Sequence, residues 1–478
     1  MRLAFAVLLA LPGVAAAGTF DIHPTDDLFA RLHMLQAGDQ VIVHAGTYTT
    51  PGLVMVTWAG TPQAPISVRA APGEHVVIVG NSSQNVLDIG GSYFTLAGFE
   101  ITGGSHGVRL AASDHALLED LVIHGLDDVG ISCNRPGQDC YQMTIRHNEI
   151  YGTGGTGTGE GMYLGGNDAT NIFRDSLVER NYIHDLGGSQ GDGIEIKTGA
   201  SGVIVRDNVI VRSKYPAITM YGFTGSGMPN IVERNWIQST QDNGIQIVGQ
   251  IIVRNNIILG AGANGIQSKA SQAETPHDLV IEHNTVVGSA GPCLKANDWA
   301  TATNQLVENN ALYCEGGTAI DLNGGAPNAT VLGNAGLGTS SVASGFRPGS
   351  TLASDLGTAT KVYPPTGSSL INAGDHANAL LEDFNGTVRG DGMPDIGAYE
   401  HTTDTNPGWD PIEGFKTETP VNGADNSTAG HDDVVQPDKP SGCCGTSTPG
   451  SSALLTGLCA LAMRRRRTAT ARTLRSLG

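Results

Sequence analysis

The stretch GDGIEIKTG (191–199) places Asp192, Glu195 and Lys197 within one short segment. The preceding repeat, TGEGMYLGG (158–166), carries Glu160 and Tyr163 in matching positions, and the following one, PAITMYGF (216–223), carries Thr219 and Tyr221. Three carboxylates held close repel one another unless a cation sits among them, and hard oxygen ligands suit Ca²⁺. A cation beside a lysine favours the neutral amine, which is a base. The chemistry that fits is β-elimination from a uronic acid polymer. The metal ligands are Glu160, Asp192 and Glu195; Lys197 removes the C5 proton; Tyr221 protonates the leaving oxygen. Tyr163, Thr219 and Lys269 are expected to touch substrate, with Lys269 and Lys295 continuing the Lys197 column. The competing reading is an exposed Glu195–Lys197 ion pair contributing less than about 1 kcal/mol.

Those residues meet only if the chain stacks its repeats. From about residue 93 to 340 one unit recurs: IRHNEI (145–150), VERNYI (178–183), VRDNVI (205–210), VERNWI (232–237), VRNNII (253–258), IEHNTV (281–286), VENNAL (307–312) and VLGNAG (331–336). A second strand follows each, as in GMYL (161–164), GIEI (193–196), AITM (217–220) and GIQI (244–247). Short strands in irregular repeats of a few tens of residues, separated by turns, predict an all-β chain folded as a right-handed parallel β-helix. Side chains alternate along a strand, so Glu195 and Lys197 share the outer face. Asn148, Asn181, Asn208, Asn235, Asn256, Asn284, Asn310 and Asn334 are expected to form an internal amide ladder. Arg146, Glu179, Arg206, Glu233, Arg254, Glu282 and Glu308 are expected to form a solvated charge column. His147 and His283 fall in ladder columns and read as surface residues.

Residues 24–49 read as a short capping helix, about 25–36, with Thr25 as its cap, followed by a first strand. The domain runs over 18–400, its last part (341–400) as irregular coils. Residues 1–17 read as a secretory signal peptide, 401–441 as a disordered acidic linker, and 442–478 as a C-terminal anchor segment. Seven cysteines suit an oxidising compartment; Cys133 and Cys140, flanking CNRPGQDC, are the expected disulfide, and Cys293 with Cys314 is an open second pair. The net charge is −19. So acidic a chain repels nucleic acid, and an anionic polymer needs local lysines or a bound cation. A monomer is expected.

The helix, GDQVIVHAGTYT (38–49), the Asn-ladder coils and the acid-rich strand with its lysine resemble secreted, pectate-lyase-like polysaccharide lyases of the chondroitinase-B and alginate-lyase family. That resemblance implies Asp192 as a calcium acid five residues before the base Lys197, with Glu160 as a ligand from the previous coil. It also marks two departures: Tyr221 stands where the family has an arginine, and Gln190 where it has a second acid. The Cys443–Cys444 pair, the apolar run 453–463 and Arg464 to Arg467 resemble C-terminal sorting signals (MYXO-CTERM type) of myxobacterial surface proteins, here with the extension TATARTLRSLG. This implies a secreted protein anchored to the outer cell surface through its C-terminal segment. The partner expected is an acidic polysaccharide. Two other classes fit the same repeats: a non-catalytic carbohydrate-binding or adhesive β-helix, and a glycoside hydrolase or uronate epimerase. Epimerases of this fold carry an Asp-Pro-His-Asp stretch, absent here.

Overall fold

The computed structural model describes residues 17–417, apart from 324, 325, 379 and 391. The stretch read as a sorting segment (442–478), residues 418–441 of the one read as a linker and all but Ala17 of the one read as a leader lie outside the described residues. No helix among the described residues is long and apolar enough to cross a membrane.

Each coil contributes strands to three stacks, and every pairing within the stacks is parallel. In the first, a sheet of 13 strands, Ile145, Val178, Val205, Val232, Val253, Ile281 and Val307 lie in register. In the second, Ile131, Met162, Ile194, Ile218, Ile245, Ile266 and Leu294 do so. The third aligns Ile123, Ile150, Ile183, Ile210, Ile237, Ile258 and Val286. All of these side chains are fully buried. Branched aliphatic residues at every second position therefore fill the bore, and the expected parallel β-helix is the fold.

The amide ladder forms as expected. Each ladder Asn Oδ1 accepts from both the backbone N–H and the side-chain Nδ2 of the Asn one coil earlier, unbroken from Asn148 to Asn334. The residue before each Asn turns the chain in the left-handed region: His147 (φ 54°), Arg180 (53°), Asp207 (55°), Arg234 (54°), Asn255 (52°), His283 (52°) and Asn309 (53°). That conformation costs an L-residue free energy, and the buried amide that satisfies the corner offsets it. In the charge column, Arg146 pairs with Glu119 at 2.8 Å, Arg206 with Glu179 at 2.8 Å and Arg254 with Glu233 at 2.7 Å. All four glutamates of the column, Glu179, Glu233, Glu282 and Glu308, depart from the solvated reading because they are buried.

The amino-terminal helix is shorter than expected, Leu28–Leu32, and Asp27 rather than Thr25 caps it by accepting from Ala30 N. Leu28, Phe29 and Leu32 join the main core. Both cysteine pairs are disulfides, Cys133–Cys140 and Cys293–Cys314, with separations of 7 and 21 residues. Loop-closure entropy grows with separation, so Cys293→Ala/Cys314→Ala should cost about 3 kcal/mol. Losing the shorter bridge should cost somewhat less, as read by urea unfolding midpoints; the reverse order would show that strain or residual structure dominates.

The largest departure lies beyond residue 340. Phe346–Pro348 pairs with the final coil, and the chain then runs back along the outside of the third stack instead of adding coils. A second apolar core results, in which Val209, Trp236, Ile257 and Tyr313 meet Phe384, Ile396, Tyr399 and Trp409. Residues 401–417, expected to be disordered linker, complete this strap. Lys416 Nζ reaches Asp207 Oδ1 at 2.8 Å and Phe384 O at 2.7 Å, and Glu413 pairs with Arg212 at 2.6 Å. His283, expected at the surface, is fully buried beneath the strap. Burial and the nearby Arg389 hold its imidazole well below the usual range.

Candidate active site

The second stack presents one outward column between two inward ones. In register it reads Arg109, Ser132, Tyr163, Glu195, Thr219, Gln246, Gln267 and Lys295. Lys295 thus belongs to the column of Glu195, not to that of Lys197. Glu160 and Asp192 stand at the turn into successive strands, with Gly161 N donating to Asp192 O at 2.8 Å. Glycine is required there: a Cβ on Gly161 would sit 2.6 Å from Gly193 O.

This arrangement brings together every carboxylate singled out from the sequence. Ligand oxygens of Glu160, Asp192 and Glu195 lie within 4.8 Å of one another. Lys197 Nζ donates to Glu195 Oε1, and Tyr221 Oη donates to the same oxygen at 3.3 Å. Thr219 Oγ1 donates to Asp192 Oδ1 at 2.6 Å. The ammonium also lies 4.3 Å from the Tyr163 ring centroid and 5.3 Å from that of Tyr221, a cation held between two π faces. Lys269 does not join the cluster. It stands three rungs beyond Lys197, about 14 Å at the usual strand spacing.

The exposure differs from the sequence reading. Lys197 is only 3% exposed, and Glu160, Asp192, Glu195, Thr219 and Tyr221 are buried with it. The column does face outward, but loops roof it. Glu274 accepts from Thr198 Oγ1 at 3.2 Å and from Thr224 Oγ1 at 2.6 Å, while Gln272 Nε2 and Tyr163 Oη both donate to Asn167 Oδ1. Sequence reasoning missed this roof because spacing does not mark it: the ladder step from Asn256 to Asn284, which contains the 270–277 loop, is 28 residues, close to the 27, 27 and 26 of other steps.

Burial sets the electrostatics. Desolvation, with help from Glu195, pushes the Glu160 carboxyl up to about 7, and the same two causes raise Asp192 well above the usual carboxylate range. Glu160 Oε1 and Glu195 Oε2 are buried without a hydrogen-bond partner among the described residues. Burial and the neighbouring carboxylates raise Tyr221 and Tyr163 above the ordinary phenol range, so both hold their protons at neutral pH. A chain of contacts missed in the sequence fixes Glu160 from behind. Thr158 Oγ1 donates to Glu160 Oε2 at 2.5 Å. Thr158 N and Oγ1 lie within 2.8 Å of Asp128 Oδ1, and His106 pairs with Asp128 at 3.4 Å. His106 and Thr158 hold Asp128 well below the usual carboxylate range. Three clustered acids, two of them with an unpartnered oxygen, and a single lysine form a donor set that fits a hard divalent cation.

Comparison with known proteins agrees with this architecture. The pattern described as "Pel9A-like, right handed beta helix region" matches residues 12–209, and that of a "right handed beta helix region" matches 161–335. Pectate lyase PEL9 of Emericella nidulans is 30% identical over 118 residues, covering 21% of this chain and 28% of that protein. The match thus spans little more than a quarter of the relative's length. Among solved structures, XylC in complex with xylose is similar with a TM-score of 0.59 at 11% identity, covering 81% of this chain and 99% of that one. Pectate lyase Pel9A gives 0.47 at 16%, covering 82% and 98%. The fold is the right-handed parallel β-helix.

Proposed function

We propose that this chain is a secreted lyase that cleaves an acidic, uronate-containing polysaccharide by Ca²⁺-assisted β-elimination, with Lys197 as base and Tyr221 as acid. One observation carries the reading. Two buried carboxylate oxygens, on Glu160 and Glu195, lack partners inside a cluster of three acids, and the same cluster holds a lysine and a tyrosine on one Glu195 oxygen. The short stretch of 30% identity to a pectate lyase supports it.

Glu160, Asp192 and Glu195 would hold the cation, which supplies positive charge to a substrate carboxylate and so favours loss of the C5 proton. Lys197 Nζ takes that proton. The C5–H electrons form the C4–C5 double bond as the C4–O bond breaks, and Tyr221 gives its phenolic proton to the departing oxygen. Tyr163 and Tyr221 exclude water from both sides of the amine, and Thr219 fixes Asp192. The roof formed by Asn167, Gln272 and Glu274 must part to admit polymer. The leader and C-terminal segment read from the sequence would place this activity on the outer cell surface.

The burial of Lys197 favours a second reading, a surface solenoid that binds polysaccharide without cleaving it. Absorbance of the unsaturated uronate, followed with polygalacturonate, alginate and chondroitin with and without chelator, separates them. A rise that needs the cation supports elimination. Reducing ends without absorbance indicate a hydrolase, and binding with neither product leaves the non-catalytic solenoid.

The cation site has its own test. A carboxyl whose folded pKa exceeds its unfolded one contributes stability that is present at low pH and lost as pH rises through the folded value. In chelator, the melting temperature should therefore fall as pH rises from 4.5 through about 7, the span set by Glu160, with Asp192 adding in the same direction. Adding Ca²⁺ should flatten that fall. A pH profile indifferent to Ca²⁺ would remove the metal from this site.

A further inference from the structure

The outward column has a second charged end. Arg109 stands three rungs before Glu195, in register through Ser132 and Tyr163, which is about 14 Å away at the usual strand spacing. Its Nε donates to Asn134 Oδ1 at 3.0 Å, and among the described residues its terminal amines have no hydrogen-bond or ion-pair partner. The carboxylate beside it is already engaged: Asp88 Oδ2 accepts from Arg135 Nη2 at 2.7 Å and Oδ1 from Asn85 Nδ2 at 2.7 Å. The buried Asp88 carboxylate thus pairs with Arg135 and leaves Arg109 without an ion-pair partner among the described residues. In a chain of net charge −19, this cationic excess lies on the same face and in the same column as the acid cluster. Burial lowers Arg109 from its ordinary value, with Asp88 opposing and Arg135 adding to the shift. The charge is under-compensated in the protein alone.

We propose that Arg109, with Arg135 beside it, is an anion subsite that takes a uronate carboxylate of the same polymer a few sugar residues from the one held at Lys197. The assignment of substrate class rests on the lyase reading above. A planar guanidinium with free terminal amines matches a carboxylate through two parallel hydrogen bonds. Asn134 beside Arg109 is a neutral amide, and Ser132 on the next rung is fully buried, its Oγ 2.8 Å from His106 Nδ1. The other end of the column runs through Thr219, Gln246 and Gln267 to Lys295, a point charge, whereas the Arg109 end offers a planar fork that matches a carboxylate. The subsite therefore discriminates by length and charge: a chain must be long enough to span the rungs and must carry an acid where it arrives.

The test is calorimetric binding of trigalacturonate and hexagalacturonate to the full chain carrying Lys197→Ala, with and without Arg109→Gln, so that catalysis plays no part. Arg109→Gln should weaken hexagalacturonate binding about tenfold or more, and the ratio between the two proteins should grow with oligomer length. Arg109→Lys, which keeps the charge but loses the planar fork, should fall between them. Arg135→Gln provides the same test should Arg109→Gln fail to fold. Equal affinity for hexagalacturonate in all variants overturns the subsite and leaves the lyase reading standing. Arg109-dependent binding, with no unsaturated product ever formed by the unsubstituted protein, upholds the subsite and removes the lyase reading. Absence of any binding overturns both.

Discussion

Lys197→Ala should abolish formation of the unsaturated product, with kcat lowered on the order of 10³-fold and KM for polygalacturonate changed far less. The expectation follows from position. Nζ is the basic group of the cluster, and it shares Glu195 Oε1 with the phenol that would return the proton. A purely structural role predicts a different pattern. Removing a buried cation leaves the Glu195 carboxylate without its partner, a loss of about 3–5 kcal/mol in stability when nothing replaces it. Melting measured with saturating Ca²⁺ separates the two effects, because a cation on the same oxygens compensates the carboxylate but not the missing base. Loss of stability that Ca²⁺ reverses, together with loss of turnover that it does not, identifies a base. If turnover persists within tenfold of the parent, the proton goes elsewhere and the mechanism fails. Lys197→Met keeps most of the stem between Tyr163 and Tyr221, and should behave alike in turnover while retaining more stability.

The sequence made the site's columns legible because a parallel stack turns spacing into position. Once each ladder Asn is aligned, Tyr163, Glu195 and Thr219 must fall one above another, and they do. The same arithmetic fails when the strand phase is misjudged, which is how Lys295 was placed beside Lys197 rather than in line with Glu195. Burial was not legible, because it comes from loops that obey no repeat: Asn167, Gln272 and Glu274 close over Lys197 from coils far apart in sequence. The strap was hidden for a related reason. Phe384, Ile396, Tyr399 and Trp409 are scattered among Asp, Asn, Thr and Gly with no period, so the first three read as irregular final coils and Trp409 as part of a linker. Their partners, Val209, Trp236 and Ile257, sit on outward positions that a solvated solenoid would not make apolar. That row of outward apolar residues on successive coils was the signal that something covers the third stack.

Asn235→Ala should cost on the order of 4 kcal/mol or more, against about 1 kcal/mol or less for Arg146→Ala in the charge column. Asn235 is fully buried. Its Oδ1 accepts from Asn208 N at 3.0 Å and Asn208 Nδ2 at 3.0 Å, and its Nδ2 donates to Val205 O at 2.9 Å and Asn256 Oδ1 at 3.0 Å. Alanine removes all four bonds and leaves Asn208 N and Val205 O facing a void, while Asn256 Oδ1 keeps the backbone N–H of residue 235 and Asn208 Nδ2 keeps Val178 O. Each such orphan costs about 1–3 kcal/mol. The corner then loses what offsets the left-handed turn at Arg234. Arg146, by contrast, has a side chain 42% exposed, and water replaces its partner. Urea unfolding of both variants measures the difference, with the slope checked for loss of cooperativity, since coils on either side of a broken rung can unfold separately. Asn235→Asp should fall nearer to alanine than to the parent, because it keeps the acceptor but loses the donor and places a charge in the stack. A cost below about 1 kcal/mol for Asn235→Ala would mean that the coils are held by their aliphatic bore alone, and that the recurrent asparagine serves the turns without binding one coil to the next.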